Sequence, residues 1–219
     1  MGSGLAEPGR ALDAFALRDW AHTSVGDLIT HIDEINRLNV FPVADSDTGV
    51  NMLFTMRSAL AEANTDAKSA DVVETAAALS AGALNGARGN SGVILSQILR
   101  GIADVTGRAA ADSEDELHQI DAALLGAALH RGVELVVASM GGQEIPGTIV
   151  SVLKAAGDAV EQSASAGEGL PAAVTVAGGG CLLVLLVALR WTITGLAPNR
   201  KVYEPAARRP VPEIAAQPP

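Results

Sequence analysis

Apolar and helix-favouring residues fill this chain between glycine-rich joints, and no stretch alternates apolar and polar residues long enough for a strand. Packed helices are therefore the fold to expect. The apolar fraction is 48% but aromatic residues only 3%, so alanine, leucine and valine must fill the core. Helices are expected over residues 11–37, 49–64, 67–85, 91–107, 113–140, 147–164 and 178–195. The first should bend or break near Gly26, because glycine inside a helix costs about 1 kcal/mol relative to alanine. The acidic run from Asp112 to Glu116 is expected to mark a helix start, where carboxylates meet the positive pole of the helix.

The 219 residues suffice for one domain with a sizeable core. Residues 1–10 read as a flexible N-terminus and 11–202 as the domain. Residues 203–219 carry five of the ten prolines without apolar periodicity and read as a tail or linker. A net charge of −10 argues against a nucleic-acid surface, which needs clustered lysine and arginine. The single cysteine, Cys181, forms no internal disulfide, and no secretion signal is evident at the start, so a cytoplasmic location is expected. The uncharged run 171–189 reaches the lower length limit of a membrane span. Three glycines near its middle leave a strongly apolar part of nine residues, so a buried core helix, and no membrane span, is the expectation.

Segment 39–51, NVFPVADSDTGVN, places Asp45 and Asp47 two residues apart in a loop that Pro42 keeps out of helix and Gly49 closes. Paired carboxylates on such a loop suit a hard cation. Mg2+ takes oxygen ligands and is commonly held by one or two carboxylates while substrate phosphates complete its shell. The same residues are equally readable as a helix start, with Asp47 or Thr48 capping the helix that follows. A second loop, GARGNSG at 86–92, spaces Gly86, Gly89 and Gly92 by three and enters a helix directly. Backbone amides there can approach an anion, helped by the helix dipole, although glycine C-capping and Ser91 N-capping explain the pattern too. In a third loop, GGQEIPGTI at 141–149, Pro146 and Gly147 break one helix and Thr148 can cap the next. His22, His31, His118 and His130 are scattered without the spacing of a zinc site or a catalytic pair.

Taken together, LNVFPVADSDTGVNMLFTM and GARGNSGVILSQ resemble the nucleotide-binding domain of the dihydroxyacetone kinase L-subunit (DhaL) family, most closely its fatty acid kinase branch, where these loops read NVFPVPDGDTGTNM and GARGNSGVILSQ. The resemblance covers about residues 17–205. It implies an all-α antiparallel helical barrel with ATP and Mg2+ as cofactors. It also implies that Asp45 and Asp47 are the catalytic metal ligands, that Thr48, Asn51, Gly89, Asn90, Ser91 and Gly92 face the nucleotide, and that Gly147, Thr148 and Gly178 are further nucleotide contacts. Asn39 joins the metal-site residues. The sugar-kinase branch carries a third metal-binding aspartate there, and the fatty acid branch has asparagine.

Three departures accompany the match. Ser46 replaces a glycine between the aspartates. Val176, in TVAGGG at 175–180, stands where the family has an aspartate. The stretch between Glu161 and Val176 is short by roughly one helix, so one of the family's eight helices is expected to be shortened or missing. The family's acceptor is presented by a separate protein, a DegV-like fatty-acid-binding protein or a dihydroxyacetone-binding subunit, and homodimerisation is a further expectation. The implied function is Mg-ATP-dependent phosphotransfer to a small ketose or a fatty acid. The competing reading is a degenerate scaffold module that binds a nucleotide or lipid without catalysis.

Overall fold

Helix follows helix around a closed ring in the computed structural model, which describes residues 10–38, 47–113, 115–141, 149–176 and 183–195. The elements are α1 (Ala14–Leu38), α2 (Thr48–Ala63), α3 (Val72–Asn85), α4 (Gly89–Asp112), α5 (Ala122–Ser139), α6 (Ile149–Ser165), α7 (Leu170–Val176) and α8 (Leu183–Thr194). Each packs on its successor, and α8 returns to pack on α1. Among the described residues there is no strand, so the all-α expectation holds. Each helix turns an apolar stripe inward, as helices joined by short connections do in a bundle. The stripes meet in one continuous core that includes Leu17, Leu28, Met56, Leu79, Leu99, Val136 and Ile193.

Several boundaries differ from the sequence reading for physical reasons. α1 runs through Gly26 without a break, because Gly26 lies on the exposed face and the buried stripe on either side of it, from Leu17 and Ala21 to Leu28 and Ile35, is continuous. The acidic run does not begin a helix. Asp112 ends α4, and α5 starts only after Asp121, whose carboxylate accepts the Leu124 N–H at 2.8 Å. α3 likewise starts at Val72, after Asp71 accepts the N–H groups of Val73 and Glu74 at 2.7 and 3.1 Å. In the short stretch before Val176 the chain keeps a helix, but α7 has only 7 residues.

Residues 10–13 are not loose. Arg10 N–H donates to Ile193 O at 2.8 Å and Ile120 N–H to Leu12 O at 2.9 Å, so this segment ties the end of α8 to the approach of α5. Asp13 then accepts the Ala16 N–H at 2.8 Å and starts α1.

α8 carries the last part of the apolar run that raised the membrane question, from residue 183, and Leu185, Ala188, Leu189 and Ile193 are buried on it. α5 is the one described helix long and apolar enough by composition to cross a membrane, with 18 residues and mean hydropathy 1.3. Its Leu125, Leu129, Val133 and Val136 face the core, and Arg131 pairs with Asp104 of α4 at 3.0 Å. Gly101 of α4 lets the two backbones meet, since a Cβ there would lie 2.6 Å from both Ala128 O and Gly132 N. Inside the ring lies an apolar cavity of about 40 Å3, lined by residues such as Trp20, Leu95, Leu129 and Leu186. It has room for water-sized groups, not for an acyl chain.

One charged side chain is buried with every donor satisfied. Arg18 of α1 donates Nε to Ala63 O at 3.1 Å, Nη1 to Ser69 O at 2.8 Å and Ala14 O at 3.4 Å, and Nη2 to Asp66 O at 3.0 Å and Thr75 Oγ1 at 2.9 Å. All five guanidinium hydrogens are thereby used. Arg18→Met keeps the stem but leaves several carbonyl groups unsatisfied. It should lower the unfolding free energy by about 2–4 kcal/mol in urea titration. A loss under about 0.5 kcal/mol would show that water replaces the guanidinium without penalty.

Candidate functional site: two uncapped helix ends

α2 and α4 begin side by side, and neither is capped in the ordinary way. Asp47 occupies the N-cap position of α2 and Arg88 that of α4, yet neither side chain makes a capping hydrogen bond. Neither helix has an acidic residue in its first turn. α3 and α5 in the same chain are capped by Asp71 and Asp121, so the difference is local. The first turn of α4, without a side-chain cap, forms an anion-binding end strengthened by the helix dipole, whereas at α2 one first-turn N–H, that of Gly49, is taken by Asn36 of α1.

Specific contacts hold the two ends together. Ser91 Oγ lies 3.4 Å from Thr48 Oγ1. Thr55, wholly buried on α2, donates its hydroxyl to Asn51 O at 2.8 Å and accepts the Arg88 N–H at 3.3 Å. Gly49 N–H is bound by Asn36 Oδ1 at 2.7 Å, which anchors the start of α2 to the last part of α1. Gly89 has φ +55°, and a Cβ there would collide with the Asn51 amide. Gly92 leaves no room for a Cβ against the Thr55 hydroxyl. Glycines in this loop therefore do two things: one supplies a left-handed turn, and both allow α4 to press against α2.

The structure thus brings together Asp47, Thr48, Asn51, Gly89, Asn90, Ser91 and Gly92. Gly89 and Asn90 are exposed at the surface, and Asp47, Thr48, Asn51 and Ser91 are half-buried. Ser91 is not the N-cap of α4, as the simple capping reading would have it. It sits within the first turn and faces Thr48. Asn39, Asp45, Gly147, Thr148 and Gly178 lie outside the described residues. So does the side chain of Val176, although its backbone closes α7. Among the described residues, no group of three or more His, Cys, Asp or Glu gathers as a metal cage.

Sequence reasoning passed over Asn36, Thr55 and the pair Phe54–Arg88, whose guanidinium carbon stands 4.2 Å from the ring centroid. A signal existed for Thr55. Thr48, Asn51 and Thr55 form a polar row at helical spacing on a helix whose other inward positions, Met52, Met56 and Ala59, are apolar.

Residues 42–179, which include both helix ends, match the DAK2 domain. The chain belongs to the DAK2 domain family, of DhaL type. It is 36% identical over 148 residues to Protein YloV of Bacillus subtilis (strain 168), covering 66% of this chain and 24% of that protein. It is 38% identical over 139 residues to the uncharacterized proteins SAB1090 and SAUSA300_1119 of Staphylococcus aureus strains bovine RF122 / ET3-1 and USA300, covering 64% of this chain and 24% of each. The DAK2 chain described here therefore spans about a quarter of the length of these relatives.

The two glycine environments in α4 predict opposite effects of one substitution. Gly89→Ala forces a left-handed residue against Asn51 and should destabilise the fold by about 1–3 kcal/mol. A Cβ at Gly107 meets nothing within 4 Å, so Gly107→Ala should be neutral or stabilising by up to about 1 kcal/mol. Denaturant melts of the two variants side by side decide this, and equal effects would mean that the loop tolerates rearrangement.

Proposed function

We propose that this chain is an Mg-ATP-dependent phosphotransfer domain of the dihydroxyacetone kinase or fatty acid kinase type, acting on a small ketose or a fatty acid that a partner protein presents. The observation that carries the reading is the pairing of two helix N-termini whose capping positions are not used for capping, one of them headed by Asp47.

Triphosphate oxygens are suited to the first-turn amides of α4, where Gly89, Asn90 and Ser91 present backbone N–H groups at the positive helix end. The hydroxyls of Thr48 and Ser91, 3.4 Å apart, can orient a phosphate between the helices. Asn51, held against Gly89, supplies an amide to the same space. The donor set fits a Mg2+ ion: the Asp47 carboxylate is not spent on capping α2, and Asp45 is the second carboxylate of the same loop. Bound there, the ion would neutralise charge on the phosphates during in-line transfer. Asn39, from the same segment 39–51, is proposed as a further oxygen donor, and Gly147, Thr148 and Gly178 are proposed to complete the nucleotide cover. The partner is a DegV-like fatty-acid-binding protein or a dihydroxyacetone-binding subunit. The interior cavity of about 40 Å3 gives the lipid-binding scaffold alternative no support.

Calorimetric titration of the purified chain with ATP, with and without Mg2+, tests the proposal directly. Binding should require the metal, and Asp45→Asn or Asp47→Asn should weaken it at least a hundredfold while leaving thermal unfolding almost unchanged, because each change removes a charge and little volume. Metal-independent binding, or variants that bind like the parent, would overturn the assignment.

A further inference from the structure

The seam between α1 and α8 holds an open polar cup of about 250 Å3. One wall is Asp19, His22 and Thr23 of α1, which share a face at helical spacing, and the opposite wall is Trp191 and Thr192 of α8. Arg10 closes a third side, held in place by its backbone N–H on Ile193 O at 2.8 Å. About 20 Å of α1 separates Thr23 from Asn36, the residue that meets the start of α2, so the cup is remote from the paired helix ends.

The groups around the cup are largely unspent. Arg10 and Asp19 pair with each other, and both are exposed, where an ion pair adds little to stability. The pair engages a single guanidinium N–H and a single carboxylate oxygen, so donors remain on one side and acceptors on the other. Among the described residues, the side chains of His22, Thr23 and Trp191 have no hydrogen-bond partner. Thr192 donates its hydroxyl to Ala188 O at 2.9 Å and keeps lone pairs to accept with. Trp191 is 42% exposed, an indole face left uncovered beside these polar groups.

We infer that this cup binds an uncharged sugar ring, with an apolar face of the ring against Trp191 and its hydroxyls on Asp19, Arg10, Thr23 and His22. Charge gives the first reason. The guanidinium and the carboxylate are joined to each other, so neither is left over to draw a phosphate or an ammonium group. The second reason is the mixture of donors and acceptors at close spacing, which suits hydroxyls because each of them both donates and accepts. Trp191 gives the third. A pyranose carries C–H groups on its faces and hydroxyls around its rim, and an exposed indole beside a polar wall matches that division. Size agrees, since the cup has the volume of about eight waters, room for one such ring. The sugar is held here and not consumed, so the inference stands apart from the phosphotransfer reading.

The whole chain has two tryptophans, so its isotope-labelled form gives two indole N–H signals by NMR, and Trp191→Phe assigns them. D-Glucose, D-galactose, D-mannose and maltose are the probes, each titrated into the tens-of-millimolar range, with cyclohexanol, adenine and inorganic phosphate as counter-probes. At least one sugar should shift the Trp191 indole and the backbone amides of His22 and Thr23, with or without Mg-ATP. The Trp20 indole, whose N–H is held by Leu185 O, should move far less. Affinity followed on the two amides should fall at least tenfold in Trp191→Ala, less in Trp191→Tyr, and at least threefold in Asp19→Asn and in Thr23→Val. Melting temperatures should stay close to the parent's, because Trp191 and Asp19 lie at the surface and Thr23→Val keeps the side-chain shape. Absence of a shift with all four sugars would overturn the inference, as would sugar binding by Trp191→Ala equal to the parent's. A response to phosphate or adenine that exceeds the response to every sugar would make the cup an anion or base site and overturn it too, and an equal response to cyclohexanol would reduce it to apolar contact with the indole.

Discussion

Arg18 is the constraint on which the working end of this domain depends. A guanidinium buried without a carboxylate is tolerated only if carbonyl and hydroxyl oxygens take up its hydrogens. Here they come from α1 itself, the last residue of α2, the connector after it and the first turn of α3. One side chain therefore fixes the far end of α2 relative to two neighbours. Asn36 does the corresponding task at the near end by accepting the Gly49 N–H. With both ends held by α1, α2 becomes a rigid bar along which Thr48, Asn51, Phe54 and Thr55 are set at fixed heights. The phosphotransfer proposed for this site would need that rigidity, because donors must stand where charge develops before it does so.

Helix ends in this chain show where local preferences give way. Asp71 and Asp121 do what aspartates do before a helix, accepting first-turn N–H groups. At α2 and α4 the same local rule is not followed: an aspartate stands at the cap position without capping, an arginine sits at a positive pole, and a left-handed glycine begins a helix. Each choice costs stability alone. Their concentration at one place is what marks these helix starts as a candidate binding surface.

Legibility in the sequence followed the range of the interactions. Fold class could be read because apolar spacing and the absence of alternation are local properties. The loops 39–51 and 86–92 could be read because their wording is specific, and the structure does join Thr48 to Ser91 and Asn51 to Gly89. Arg18 was not legible at all, since its partners lie 45 to 57 residues away apart from Ala14. The start of α5 was misplaced because a run of acidic residues looks the same whether it opens one helix or trails from another, and only the Asp121 cap distinguishes them. The unbroken course of α1 past Gly26 was hidden for a related reason. Propensity acts on the residue, whereas burial of the stripe on both sides acts on the whole helix.

Ring closure carries a consequence for how the chain comes together. Contacts between successive helices join residues close in sequence and can form early. The seam does not have that advantage, since Trp20 Nε1 reaches Leu185 O at 3.0 Å across 165 residues, and Arg10 reaches Ile193 across an even longer span. Closing so long a loop meets its entropic cost before any contact repays it, so the seam between α1 and α8 is expected to be the slow, late event of folding. Trp20, buried in that seam, changes its surroundings when the ring shuts, and its emission is a built-in clock for that step.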